Sequence, residues 1–252
     1  MGRVLVALGR KPSAIQRLWL LLVLVGGASS YLAAGYLLSV YAGASPIAVQ
    51  AILWVGWLVW LRWGFPRSHD AATGRAPNGS YRDAFYAQIL PGVTCVLAQL
   101  LRPGLHAVLA LPSGAPPPGT LAVSLLAILV GVALVAAATR TLGIGGVLFV
   151  DEYGTAPPSV VGSSVYAFLR QPLFVGGVIV SVGLGLLGGE VSLLLAAMNV
   201  VALPFYARFE DARCARVFGA RHEDHRASVR RPATRRARWR VSTPASHCAA
   251  RT

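Results

Sequence analysis

The chain has 252 residues, 55% of them apolar and 13% charged, with a mean hydropathy of +0.60. An ordinary soluble domain is about 25% charged, so this composition argues against a water-soluble globule. Nine acidic residues face 23 Lys+Arg, a formal charge of +14, yet the chain is too apolar to offer phosphates a continuous basic surface, and nucleic acid is not an expected partner.

Long stretches almost free of charge alternate with short Arg-bearing segments. A hydrocarbon core needs about 20 apolar residues per span. The chain is therefore predicted to be an all-α, polytopic helical membrane protein. Its six hydrophobic segments fall at about residues 17–42, 46–63, 84–102, 119–139, 173–188 and 191–207. The apolar run of the first segment continues from Leu18 through Tyr41, too long for a cleaved signal and long enough for an anchor.

With both termini cytoplasmic, the inner segments hold Arg3, Arg10, Lys11 and Arg17, then Arg62, Arg67, Arg75 and Arg82, then Arg140 and Arg170, then the twelve Arg from Arg208 onward. Only Arg102 falls outside, at the start of an outer loop expected over Pro103 to Pro118, so the positive-inside rule holds with one exception. The spans show almost no ionisable residue near their middles, which argues against a transporter. A bacterial inner membrane is the expected location.

The fifth segment is short. Its sixteen residues, Leu173 to Gly188, reach about 24 Å as a helix, less than a hydrocarbon core of about 30 Å. It is expected to form a tight hairpin with the sixth. Gly177, Ser181, Gly185 and Gly189 recur every four residues, a small-residue face that suits close helix packing. The Arg-rich tail is expected to contact anionic lipid. Cys95, Cys214 and Cys248 show no ligand spacing, so no metal site is expected. Gly143-Ile144-Gly145-Gly146 lacks the strand-turn-helix setting of a dinucleotide loop and reads as a helix end or kink.

Two polar stretches adjoin membrane segments. The first runs Tyr166-Ala167-Phe168-Leu169-Arg170-Gln171-Pro172-Leu173-Phe174-Val175-Gly176, with Pro172 able to open a helix. The second is Glu210-Asp211, followed by Phe218-Gly219, His222 and His225. A hairpin between them returns the chain to the same side, so a cation, an amide and two carboxylates can meet at one boundary. Taken singly, Arg170 is equally a topology determinant, Tyr166 an interfacial anchor, and Glu210-Asp211 partners for Arg208 and Arg213.

Their order and spacing resemble the C-terminal signature of the membrane methyltransferase superfamily that includes isoprenylcysteine carboxyl methyltransferases and bacterial phospholipid N-methyltransferases. Tyr166, Arg170, Pro172 and Gly176 fall in register, as do Glu210, Phe218 and Gly219, and Thr141-Leu142-Gly143 is similar to a tripeptide that often precedes the signature. Asp211 stands for a second Glu, while His222 and His225 stand at two Tyr positions. Gln171 replaces a His, Phe174 a Tyr, and Ser164-Val165 a Gly-Pro pair. The resemblance covers about residues 139–231.

The resemblance implies S-adenosylmethionine as cofactor, held in a cytoplasmic-side pocket by Tyr166, Arg170, Gln171, Pro172, Phe174, Gly176, Glu210, Asp211, His222 and His225. Arg170 and Glu210 would be the catalytic residues. Arg170 would pair with the cofactor's carboxylate, Gln171 would hydrogen-bond where the family uses His, and Glu210 or Asp211 would hold the amino group or ribose. Phe174 or Tyr166 would stack on the adenine or face the sulfonium. The methyl acceptor would be lipophilic, entering from the membrane. The chain then divides into an N-terminal transmembrane region (1–118), a methyltransferase-like region (119–231) and a basic, disordered tail (232–252). Two other readings compete: an NADPH-dependent membrane reductase, whose C-terminal region looks similar, and a non-enzymatic scaffold with a decayed pocket, which Gln171 and Phe174 favour.

Overall fold

A computed structural model describes residues 14–64, 89–110, 116–147, 164–169 and 171–219. The described residues form six α-helices and no strand: α1 (Ala14–Tyr41), α2 (Pro46–Val59, continued by a π-helical turn at Trp60–Gly64), α3 (Leu90–Ala110), α4 (Pro118–Val147), α5 (Pro172–Leu187) and α6 (Gly189–Phe218). A 3₁₀ turn at Ser164–Ala167 precedes α5. Five of the helices are long and apolar enough to cross a membrane, and α5, at 16 residues, is the shorter sixth. Helices satisfy their own backbone groups, which is why an apolar chain can cross lipid in this form.

The direction of each helix follows from its neighbours. Gly27 of α1 lies against Thr94 of α3 and Gly35 against Arg102, so α1 and α3 run parallel. Helices α4 and α5 run antiparallel, with Gly176 against Gly131 and Gly183 against Ser124 and Ile128. Here the two backbones come close together. A Cβ at Gly176 would stand 2.9 Å from the Gly131 carbonyl oxygen and 3.0 Å from the Val135 nitrogen, so the backbones can meet only because both positions lack a side chain.

The expected small-residue face has a different division of labour. Gly177 packs on Leu100 of α3, Ser181 bonds to α6, and Gly185 meets Ala196 and the Ser192 carbonyl of α6. Gly189, at φ 73°, opens α6 after the turn and faces open space where a side chain would stand.

Two segment ends differ from the sequence reading. Helix α3 does not stop at Arg102 but runs through Pro103 to Ala110, so residues 103–110 are helical and the outer loop is shorter than expected. The Pro103 carbonyl accepts a hydrogen bond of 2.5 Å from Ser192 Oγ, an example of a neighbouring helix satisfying backbone polarity near a proline. Arg102 is therefore inside a spanning helix and 3% exposed, not on the outer surface. Arg102 and His106 are thus two ionisable residues within a span, where few were expected near the middle.

Helix α6 is the second difference. It continues to Phe218, eleven residues past the expected end, despite Pro204 within it. Glu210, Asp211 and Arg213 thus lie on a continuous helix rather than in a loop. Helix α4 extends to Val147 across a kink at Gly143 (φ 74°, ψ 166°), the position read as a kink from sequence.

The core gathers Trp54, Trp57 and Leu61 of α2 and its π turn, Leu100 of α3, Phe174 and Val178 of α5, and Ala202 of α6. Beside it lies a buried amide cluster. Gln50 Nε2 donates to Asn199 Oδ1 (2.8 Å) and to the Gln99 carbonyl (3.2 Å), and Trp54 Nε1 donates to the same Asn199 Oδ1 (2.8 Å). Asn199 Nδ2 donates to the Gln99 carbonyl (3.0 Å) and to Ser181 Oγ (2.7 Å). One asparagine of α6 thereby joins α2, α3 and α5 through bonds that lipid cannot replace.

Candidate functional site

The site sits where α5 begins and α6 emerges. Pro172 occupies the first helical position of α5, where its missing N–H costs nothing. Gln171 is the N-cap residue but its side chain makes no capping bond. Two residues on, the ring of Phe174 is 4% exposed and turned into the core. It meets Trp54 edge-on, with centroids 5.8 Å apart and planes at 85°, and stacks on Tyr206 of α6 at 4.1 Å and 15°. Gly176 faces α4, as described above, and is spent on helix packing.

Tyr206 is one turn before Glu210 on α6. Glu210 and Arg213, each 8% exposed, form a buried two-point ion pair: Arg213 Nε donates to Oε2 at 2.9 Å and Nη2 donates to Oε1. The i,i+3 spacing brings such side chains together on one helix face. Asp211 is partly exposed.

The 3₁₀ turn brings Tyr166 to this pair. Burial, with the Glu210 carboxylate beside it, pushes the Tyr166 hydroxyl up to about 12, so it stays protonated and able to donate at neutral pH. The turn opens on Ser164 at φ 55°. L side chains avoid this left-handed region and glycine does not, which gives a physical reason for the Gly found at that place in the superfamily signature.

The hairpin therefore unites Tyr166, Phe174 and Glu210, as the sequence order required. Arg170, His222 and His225 lie outside the described residues, as do residues 232–252. Sequence reasoning missed three members. Arg213 reads from the sequence only as a charge partner of the carboxylates, and it pairs with Glu210. Tyr206 was legible as the residue one helical turn before Glu210, had α6 been extended far enough. Trp54 lies in the N-terminal region, about 120 residues from Phe174 in sequence, and carried no signal. Among the described residues no group of three or more His, Cys, Asp or Glu is placed to hold a metal ion.

This geometry occupies the end of the chain that a family comparison also singles out. Residues 120–221 match the phospholipid methyltransferase family. The match begins in the first turn of α4 and ends just past α6, so the phospholipid methyltransferase region contains the α4–α5 glycine contact, the 3₁₀ turn, the hairpin and the Glu210–Arg213 pair. The resemblance to the membrane methyltransferase superfamily holds over this C-terminal half, and the chain is an integral membrane protein with a methyltransferase-family region. Helices α1 to α3 lie outside the match, although Trp54 of α2 completes the aromatic cluster. No curated protein and no solved structure matches the chain.

Proposed function

We propose that the protein is an S-adenosylmethionine-dependent methyltransferase acting on a lipophilic acceptor at the boundary where α5 begins. The observation that carries this reading is the buried Glu210–Arg213 pair beside Tyr166 and the Phe174–Tyr206 stack, inside the phospholipid methyltransferase region.

The donor set fits the cofactor. Its amino acid end carries an ammonium and a carboxylate, and Glu210 with Arg213 presents the complementary charges. A carboxylate has about four lone-pair directions, two of which Arg213 takes, leaving acceptor capacity for an ammonium. Arg170, by its register, adds a second cation for the carboxylate. Phe174 backs the ring of the partly buried Tyr206, whose aromatic surface suits an adenine or a cationic sulfur. When bound, S-adenosylmethionine supplies an electrophilic methyl group.

What the chain itself contributes is positioning and dryness. The Phe174 ring is fixed on two sides by Trp54 and Tyr206, and buried aromatics around it keep water from the reacting groups. Tyr166, protonated, offers a hydrogen-bond donor beside the carboxylate. On this reading the boundary faces the cytoplasm of a bacterial inner membrane, the cytoplasmic side being supported by the positive-inside distribution of arginine, and a soluble cofactor and a membrane-borne acceptor can meet there.

Equilibrium binding of S-adenosylhomocysteine to the protein in nanodiscs, with NADPH as comparison ligand, tests the reading. Saturable binding lost in Arg170→Ala and Glu210→Ala supports it. Binding of NADPH alone would replace it with a reductase, and binding of neither ligand by folded protein would replace it with a scaffold.

A further inference from the structure

The cation in the middle of α3 has no role in the site above. Arg102 is 3% exposed, and its Nη2 has no hydrogen-bond partner among the described residues. The guanidinium lies against Gly35 of α1, where the missing side chain makes room for it. His106, one turn further along α3 and half-buried, is within electrostatic range of it. An ionised side chain within a spanning helix is costly and normally faces a partner.

The described part of the chain does not supply that partner. Its acidic residues are Glu190, Glu210 and Asp211. Glu210 is held by Arg213, and both it and Asp211 lie at the far end of α6. Ser192 of α6 is level with Pro103, to whose carbonyl it bonds. The fourteen residues from Ser192 to Tyr206 span about 21 Å of helix, which separates Arg102 from the methyltransferase-family site. Glu190 is at the nearer end but exposed, and no ion pair joins it to Arg102.

The other acidic residues, Asp70, Asp83, Asp151, Glu152, Glu223 and Asp224, fall by the positive-inside reading in the inner segments, on the side away from the Arg102 end of α3, so the compensating charge is expected from outside the protein. Arg102 lies eight residues, about 12 Å, before the end of α3, and its guanidinium is held against Gly35, so an anion must enter the α1–α3 seam from that end to meet it. Leu37 and Leu38, within one turn of Gly35 on α1, are 49% and 51% exposed, an apolar surface suited to acyl chains. A guanidinium matches the geometry of a phosphate through paired N–H donors, and basic pockets between spanning helices are known to take lipid headgroups.

We propose that the seam between α1 and α3, around Arg102 and His106, binds the phosphate of an anionic amphiphile on the side of the membrane opposite the methyltransferase-family site. The ligand belongs to the phosphodiesters of acidic lipids, whose charge is not cancelled by an ammonium of their own. This inference does not depend on the proposed methyl transfer.

Native mass spectrometry of the full chain, extracted from nanodiscs of phosphatidylcholine containing phosphatidylglycerol, provides the test. Wild type is expected to retain phosphatidylglycerol, Arg102→Gln to lose it, and His106→Asn to retain less. A parallel arm adds inorganic phosphate to protein in phosphatidylcholine alone. A rise in melting temperature there, absent in Arg102→Gln, would keep the site and identify a free anion as its ligand. Equal retention by wild type and Arg102→Gln, with no response to phosphate, would overturn the proposal. Should Arg102→Gln fail to fold, Arg102→Lys keeps the charge but not the fork. Weaker retention by that variant supports the site, and unchanged retention overturns it.

Discussion

Phe174 of α5 and Tyr206 of α6 stack face to face, 4.1 Å between centroids and 15° between planes, across the two arms of the hairpin. Thirty-two positions separate them in sequence. The contact exists because α5 ends and α6 begins at the Gly188–Gly189 turn, so their other ends share one boundary and the stack joins the two polar stretches.

If this stack shapes the cofactor pocket, Phe174→Leu should weaken S-adenosylhomocysteine binding while the fold is kept. Aromatic pairs contribute about 0.5–1.5 kcal/mol beyond their burial, so the expected loss is about 2- to 13-fold in Kd. Isothermal titration in nanodiscs measures it. An unchanged Kd in folded protein would place the pair outside the pocket.

The Glu210–Arg213 pair predicts an asymmetry in stability. Removing either member breaks a buried two-point ion pair, which costs about 3–5 kcal/mol. Arg213→Gln and Glu210→Gln should each destabilise the protein by this order, and the double variant by less than their sum. Reversible unfolding in mixed micelles reads all three. Additive single effects of a few tenths of a kcal/mol would mean the pair is screened by solvent.

The Tyr166 hydroxyl carries an alkaline signature. Its folded value, about 12, exceeds the ordinary value of 10.0, so the folded state holds its proton more tightly than the unfolded chain. The stabilisation from this group is fully present below pH 10 and is lost as pH rises through about 12. A tyrosinate absorbance titration of wild type minus Tyr166→Phe should show one group titrating near 12. A difference curve centred at 10 would mean that neither burial nor Glu210 acts on it.

Asn199 takes part in four hydrogen bonds that tie α6 to α2, α3 and α5. At an average of about 0.6 kcal/mol per interhelical bond in a membrane protein, Asn199→Leu should cost about 2 kcal/mol. Release of Trp54 Nε1 should also shift the tryptophan emission. A variant as stable as wild type, with unaltered emission, would show that the cluster reorganises around the loss.

Much of the candidate cluster was legible because its pieces lie near helix ends, where sequence order and hairpin connectivity fix who meets whom. Tyr166, Phe174 and Glu210 needed only a turn between two apolar segments. The missed residues share another cause. Hydropathy marks where a helix can leave lipid, and the polar Arg208 and Glu210 suggested an exit that the helix does not take; its hydrogen bonds continue to Phe218 and bring Arg213 to Glu210. Likewise Arg102 and Pro103 looked like a boundary, yet both are absorbed into α3 by Gly35 and Ser192 on neighbouring helices.

The sequence by itself determined the membrane class, the number of apolar segments, the hairpin and the family of the C-terminal half, because hydrophobic length and motif spacing are local properties of the chain. Only the tertiary structure decided that Trp54 reaches Phe174, that Asn199 gathers three other helices, and that Arg102 is buried against Gly35. These depend on how helices rotate and approach. In lipid, backbone contact at small residues and the satisfaction of buried polar groups set that rotation, and neither can be read from one segment alone.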